Sequence, residues 1–174
     1  MLHQPLGHIY LIDDDASIRR ALTGTLDKLG FSVSAFEDAR TFLKSATPVS
    51  PSVILLDMRM PEKSGVELQA ELLKTGWRTP VIFISGESLP AQIVQAMKQG
   101  AADFLLKPFS MEELLRAVTA GIERDRIEHD LLVGGDLGHA NGVKLQSLDR
   151  NMLHRVDIDC IFRLLDRGRD HLRA

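Results

Sequence analysis

Short apolar runs alternate with helical stretches along this chain, and four of the runs end on a polar group. Ile9, Tyr10, Leu11 and Ile12 lead into Asp13, Asp14 and Asp15. Val53 to Leu56 leads into Asp57, Val81 to Ile84 into Ser85, and Phe104 to Leu106 into Lys107. Strands that are apolar throughout are covered on both faces, which calls for a parallel sheet with helices above and below. In such a sheet the carboxyl ends of the strands share one edge, so three carboxylates, a hydroxyl and an amine gather there. One more run, Phe31 to Phe36, alternates with period two as an edge or half-exposed strand does.

Between the runs the apolar residues recur at three and four. Ile18, Ala21, Leu22, Thr25, Leu26 and Leu29 mark one face of a first helix that Gly30 ends. The pattern gives five strand–helix units, with helices over roughly 15–30, 38–46, 64–75, 90–99 and 110–132. Right-handed crossovers then leave few topologies. In the fifth helix Met111, Leu115, Val118 and Ile122 form a stripe that shifts register to Ile127 and Leu131, so this helix outruns the domain it starts in. Gly134, Gly135, Gly138, Asn141 and Gly142 read as a flexible connector. Beyond it, Ile158, Ile161, Phe162 and Leu165 fit one short amphipathic helix.

Composition narrows the function classes. The 174 residues are 44% hydrophobic and 26% charged, enough for one well-buried domain and something small. A net charge of -3 gives no concentrated basic face for nonspecific nucleic-acid binding. Cys160 is the single cysteine, which excludes an internal disulfide or a cysteine metal cluster. The first residues lack the pattern of a signal peptide and no apolar run reaches membrane-spanning length, so the cytoplasm is the expected compartment.

Carboxylates converging on one edge repel each other unless a cation lies between them, and an all-oxygen donor set favours Mg²⁺. Mg²⁺ keeps part of its shell for water or phosphate oxygens. A carboxylate can attack phosphorus if metal and lysine neutralise the transferring group. Asp57, alone at its strand end, fits that nucleophile. Asp13 and Asp14 fit the metal, while Lys107 and the Ser85 hydroxyl fit the phosphoryl oxygens. Taken singly, each of these residues could be a turn former or helix cap. Asp15 and Ser17 are expected to cap the first helix.

These motifs resemble the receiver domain of two-component response regulators. They are Asp13-Asp14, then Leu56-Asp57 with Pro61 and Gly65, then Ile84-Ser85-Gly86, then Lys107-Pro108-Phe109. The resemblance implies a flavodoxin-like sheet in the order 2-1-3-4-5 and a receiver over 1–128. Residues 129–174 would be a helix extension, connector and short helix. It also implies a phosphoryl group taken from a sensor histidine kinase and Mg²⁺ held by Asp13, Asp14, Asp57 and the Arg59 carbonyl. Ser85 and Phe104 would move on phosphorylation, with Phe104 standing where Tyr is commoner. Arg59 and Glu87 would tune dephosphorylation, and the Lys107–Pro108 bond would be cis. Val66-Glu67-Leu68 and Ala101-Ala102-Asp103-Phe104 are similar to the FixJ-like subfamily, whose members usually carry a helix-turn-helix output domain.

After Leu153 too few residues remain for such an output domain, and acidic and basic side chains nearly balance from Asp125 onward. DNA binding by this chain alone is therefore not expected. The expected function is a phosphorylation switch, not an enzyme beyond its own phosphorylation and dephosphorylation, that acts through a homodimer or a downstream protein. One alternative is a phosphatase of the haloacid-dehalogenase type, with Asp13 as nucleophile and Asp15 as general acid. It lacks the Gly-Thr after Asp15 and the acidic pair downstream of the lysine. Another is a FixJ-like transcription factor with a truncated DNA-binding region.

Overall fold

The computed structural model describes residues 5–86 and 90–134. Five strands, β1 (His8–Ile12), β2 (Ser32–Phe36), β3 (Ser52–Asp57), β4 (Val81–Ser85) and β5 (Asp103–Leu106), alternate with five helices. The helices are α1 (Ala16–Lys28), α2 (Ala39–Ser45), α3 (Gly65–Thr75), α4 (Pro90–Lys98) and α5 (Met111–Gly134). Every strand pairing is parallel, and the sheet runs β2-β1-β3-β4-β5. This is the flavodoxin-like doubly wound fold, with β2 the half-exposed edge that its alternation predicted.

Because successive strand side chains point to opposite faces, the apolar strands sort into two cores. Ile9, Leu11, Val53, Leu55, Ile82 and Ile84 pack with Leu22 and Leu26 of α1 and with Leu114, Val118 and Ile122 of α5. Tyr10, Ile12, Ile54, Leu56 and Phe83 pack with Phe42 of α2, Leu68 and Leu72 of α3 and Ala96 of α4. β3, central in the sheet, is buried along its whole length. It therefore carries Asp57 on a fully buried central strand.

Short polar side chains set the helix starts. Asp15 caps α1 by accepting from the Ser17 and Ile18 amides, and Ser64 and Glu67 close a reciprocal capping box at α3. Gly30, at φ +93, follows α1 in the left-handed region.

Two expectations on helix faces need correction. Ala21 of α1 is exposed, and Leu22 and Leu26 are that helix's buried residues. In α5 the stripe does not start at Met111, which is exposed, and Leu115 is only half-buried. Val118 and Ile122 of the expected stripe are buried and Leu115 packs against the core, while Leu114, Ala117 and Asp125 join them on the inward face. Gly121 also faces inward, since a Cβ there would lie 2.7 Å from Val53 Cγ2. Asp125 is buried there with a partner: its carboxylate accepts the Ser52 amide of β3 at 2.9 Å. The helix also keeps Gly134 as its last residue, whereas the sequence placed the break there. The compact unit ends at Asp130. The connector beyond Gly134 and the stripe from Ile158 to Leu165 lie outside the described residues. Among the described residues no helix is long and apolar enough to cross a membrane.

Candidate functional site

The carboxyl ends of β1, β3, β4 and β5 bring the expected side chains together. Asp13 follows β1 directly, and Asp57 and Ser85 are the last residues of β3 and β4 rather than the first beyond them. Pairing of Asp57 with Ile84, and of Ser85 with Leu106, sets these ends at one level. Behind Asp57 the chain turns sharply into α3, where the Gly65 amide donates to the Met58 carbonyl at 3.0 Å. A Cβ at Gly65 would lie 2.5 Å from the Asp57 carbonyl oxygen, so only glycine permits this approach.

One carboxylate oxygen each from Asp13, Asp14 and Asp57 falls within 4.8 Å of the others. Asp13 and Asp57 are buried, and Asp14 is exposed. Asp13 is fixed at both oxygens. Oδ1 accepts the Asp15 amide at 2.8 Å, and Oδ2 accepts Lys107 Nζ at 2.9 Å. The same ammonium lies 3.8 Å from Asp57 Oδ1. Burial pushes the Asp57 carboxyl up to about 6; Lys107 opposes that shift, Asp13 and Asp14 add to it, and a hydrogen bond from the Arg59 amide opposes it further. Such a carboxylate keeps its electron pairs weakly solvated, which favours both cation binding and nucleophilic attack.

Ser85 is buried, and its carbonyl accepts the Lys107 amide at 2.8 Å, tying the ends of β4 and β5 together. Phe104, level with Phe83 across β4 and β5, is half-buried against the α2–α3–α4 core. The Lys107–Pro108 bond is cis, as expected; so is Ser50–Pro51, which the sequence reading had not singled out. Glu87 lies outside the described residues. Asp15, which a dehalogenase would use as general acid, spends its carboxylate on the first turn of α1.

Residues 9–119 match the response regulator receiver domain family. The chain belongs to that family. Over 118 residues, 68% of its length, it is 45% identical to Nodulation protein W of Bradyrhizobium diazoefficiens and 38% identical to the transcriptional regulatory protein FixJ of the same organism. It spans 52% and 58% of those relatives' own lengths. Among solved structures, the response regulator StyR superposes with a TM-score of 0.71 at 36% identity, over 77% of this chain and 67% of that one. The receiver resemblance is thus borne out as family membership and fold.

Sequence reasoning missed Arg19. Its guanidinium Nη1 donates to the Asp13 carbonyl at 2.7 Å and to the Asp14 carbonyl at 2.9 Å. An arginine in the first turns of an amphipathic helix looks like a solvated surface charge, so only the path of the loop reveals its role.

Proposed function

We propose that Asp57 is the phosphoacceptor of a switch driven by a sensor histidine kinase. The supporting observation is a buried carboxylate at a strand end, with an ammonium 3.8 Å away and two further aspartates within reach of a shared cation. In the transfer an Asp57 carboxylate oxygen bonds to phosphorus. The bond from phosphorus to the kinase histidine nitrogen breaks, and its electron pair stays with the imidazole. Asp13, Asp14 and Asp57, with the Arg59 carbonyl, would hold Mg²⁺; the all-oxygen donor set fits that ion, and among the described residues no thiol or imidazole joins the cluster. Bound there, the ion would supply positive charge that offsets the negative charge gathering on the phosphoryl oxygens.

Lys107 pairs with a phosphoryl oxygen and Ser85 donates a hydrogen bond to another. Movement of Ser85 and an inward turn of Phe104 carry the change to the surface, and Arg59 and Glu87 set how long the phosphate lasts. On this reading the protein is a cytoplasmic switch and not an enzyme acting on other substrates. The receiver occupies residues 1–128, and 129–174 serve its output. That output is a homodimer or a downstream protein, in keeping with the near balance of charge beyond Asp125. Because FixJ is by name a transcriptional regulatory protein, an output acting on transcription is the second reading, and it keeps the same site.

The test is labelling with a small acyl phosphate in Mg²⁺, followed by sedimentation with and without the label. Label on Asp57 together with a change in association supports the proposal. Absence of label, or label on another residue, refutes it.

A further inference from the structure

We infer that Arg19 is a positioning residue for the acidic loop, aiming the Asp13 and Asp14 carboxylates at a shared cation by gripping their backbone. The inference rests on the cation-binding role proposed above for these aspartates.

Three features of the loop point to it. First, each aspartate is held by a different device. The Asp13 carboxylate is held by the Asp15 amide and Lys107, and Asp15 is spent as the α1 cap. Asp14 is exposed, and the described bond that ties its residue to the rest of the site is the one from Arg19 to its carbonyl. Second, the side-chain hydrogen bonds described for Arg19 go to backbone carbonyls. One terminal nitrogen, Nη1, reaches both oxygens, at 2.7 and 2.9 Å, so the two peptide planes are fixed relative to each other. A side chain leaves the backbone in a direction set by that plane, so fixing consecutive planes fixes where consecutive carboxylates can point. Third, the clamp starts from a rigid base. Arg19 is half-buried on α1, and its own amide donates to the Asp15 carbonyl at 3.0 Å, so helix and loop are joined in both directions.

Charge and positioning make opposite predictions for the loss of Arg19. A guanidinium bonded to the loop that carries Asp13 and Asp14 repels an incoming cation, so a purely electrostatic role means that removing it tightens Mg²⁺ binding. A positioning role means that removing it loosens binding, as loss of groups that orient metal ligands commonly does by about tenfold or more. The sign of the change separates them.

The experiment titrates Mg²⁺ into wild type, Arg19→Met and Arg19→Lys, following the amide resonances of residues 13–15 and 57. Amide hydrogen exchange of the same loop is measured without divalent cation. We expect Arg19→Met to weaken Mg²⁺ binding about tenfold and to speed exchange at Asp14 and Asp15. Arg19→Lys, which keeps a cationic donor on the same face, should recover much of both. Mg²⁺ affinity in Arg19→Met equal to or above wild type, with a native amide spectrum, overturns the inference. So does unchanged exchange in the metal-free protein. If wild type itself shows no saturable response to Mg²⁺, the metal assignment fails; the exchange comparison still decides whether Arg19 orders the loop. Should Arg19→Met not fold, Arg19→Gln, which is neutral but keeps an amide donor, replaces it under the same criteria.

Discussion

Lys107 and Asp13 are joined by an ion pair of 2.9 Å although they stand at opposite ends of the receiver sequence. The ammonium thus holds one of the carboxylates proposed to bind Mg²⁺, while standing 3.8 Å from the proposed phosphoacceptor. On the proposed function, cation binding at Asp13 and release of Lys107 toward a phosphoryl group would therefore be linked events.

Lys107→Ala should bind Mg²⁺ at least as tightly as wild type, because a competing positive charge is gone. It should be labelled at Asp57 yet fail to turn label into altered association, since the charge joining site and surface is missing. Calorimetric Mg²⁺ titration and sedimentation of labelled protein check both parts. Normal phosphate-dependent association in this variant removes Lys107 from the switch. Ser85→Ala should show a milder form of the same defect, a neutral hydrogen bond being weaker than a charged one.

Asp57→Asn should abolish labelling by a small acyl phosphate, and chelation of Mg²⁺ should suppress it in wild type. Asp13→Asn should reduce labelling without moving it. Label retained in Asp57→Asn and lost in Asp13→Asn would instead assign the nucleophile to Asp13.

With its carboxyl pushed up to about 6, Asp57 in the cation-free fold holds a proton that the unfolded chain has already released near the ordinary carboxylate value of 3.8. The folded state binds more protons across that window, so this group's contribution to stability falls as pH rises through it. Cation-free Asp57→Asn should therefore resist urea better than wild type at about pH 7.5, and the gap should close toward about pH 4. Fluorescence of Trp77, the single tryptophan, follows unfolding because its ring packs 5.1 Å from Phe42 in the core. A gap that does not change with pH would contradict the assignment. Mg²⁺ affinity should fall below about pH 6, approaching tenfold per pH unit, as protons compete for Asp57.

Gly65→Ala should destabilise the fold by about 1–3 kcal/mol and slow labelling, because the added methyl presses on the Asp57 carbonyl oxygen 2.5 Å away. Gly24→Ala is the control. Beyond its own helix backbone and chain neighbours, nothing lies within 4 Å of a Cβ at that position of α1, so relief of helix entropy should stabilise by about 0.5–1 kcal/mol. Urea midpoints of the two variants should move in opposite directions.

The sequence by itself determined the five strands, the parallel sheet and the edge where Asp13, Asp57, Ser85 and Lys107 meet. Those features follow from local rules: β-branched apolar runs, capping side chains such as Asp15 and Ser64, and left-handed glycines act over a few residues. The face that α5 turns inward was decided only by tertiary structure. Met111, Leu115 and Val118 make as good a stripe on paper as Leu114, Ala117 and Val118, and the close approach of Gly121 to Val53 together with the bond from Ser52 to Asp125 selects between them. The Lys107–Asp13 pair and the grip of Arg19 on two carbonyls were likewise invisible, since no periodicity records which distant charge a side chain will reach. Pairing across the sheet edge depends on how far each strand extends before its chain turns away. That is fixed when the two cores pack, after local propensity has had its effect.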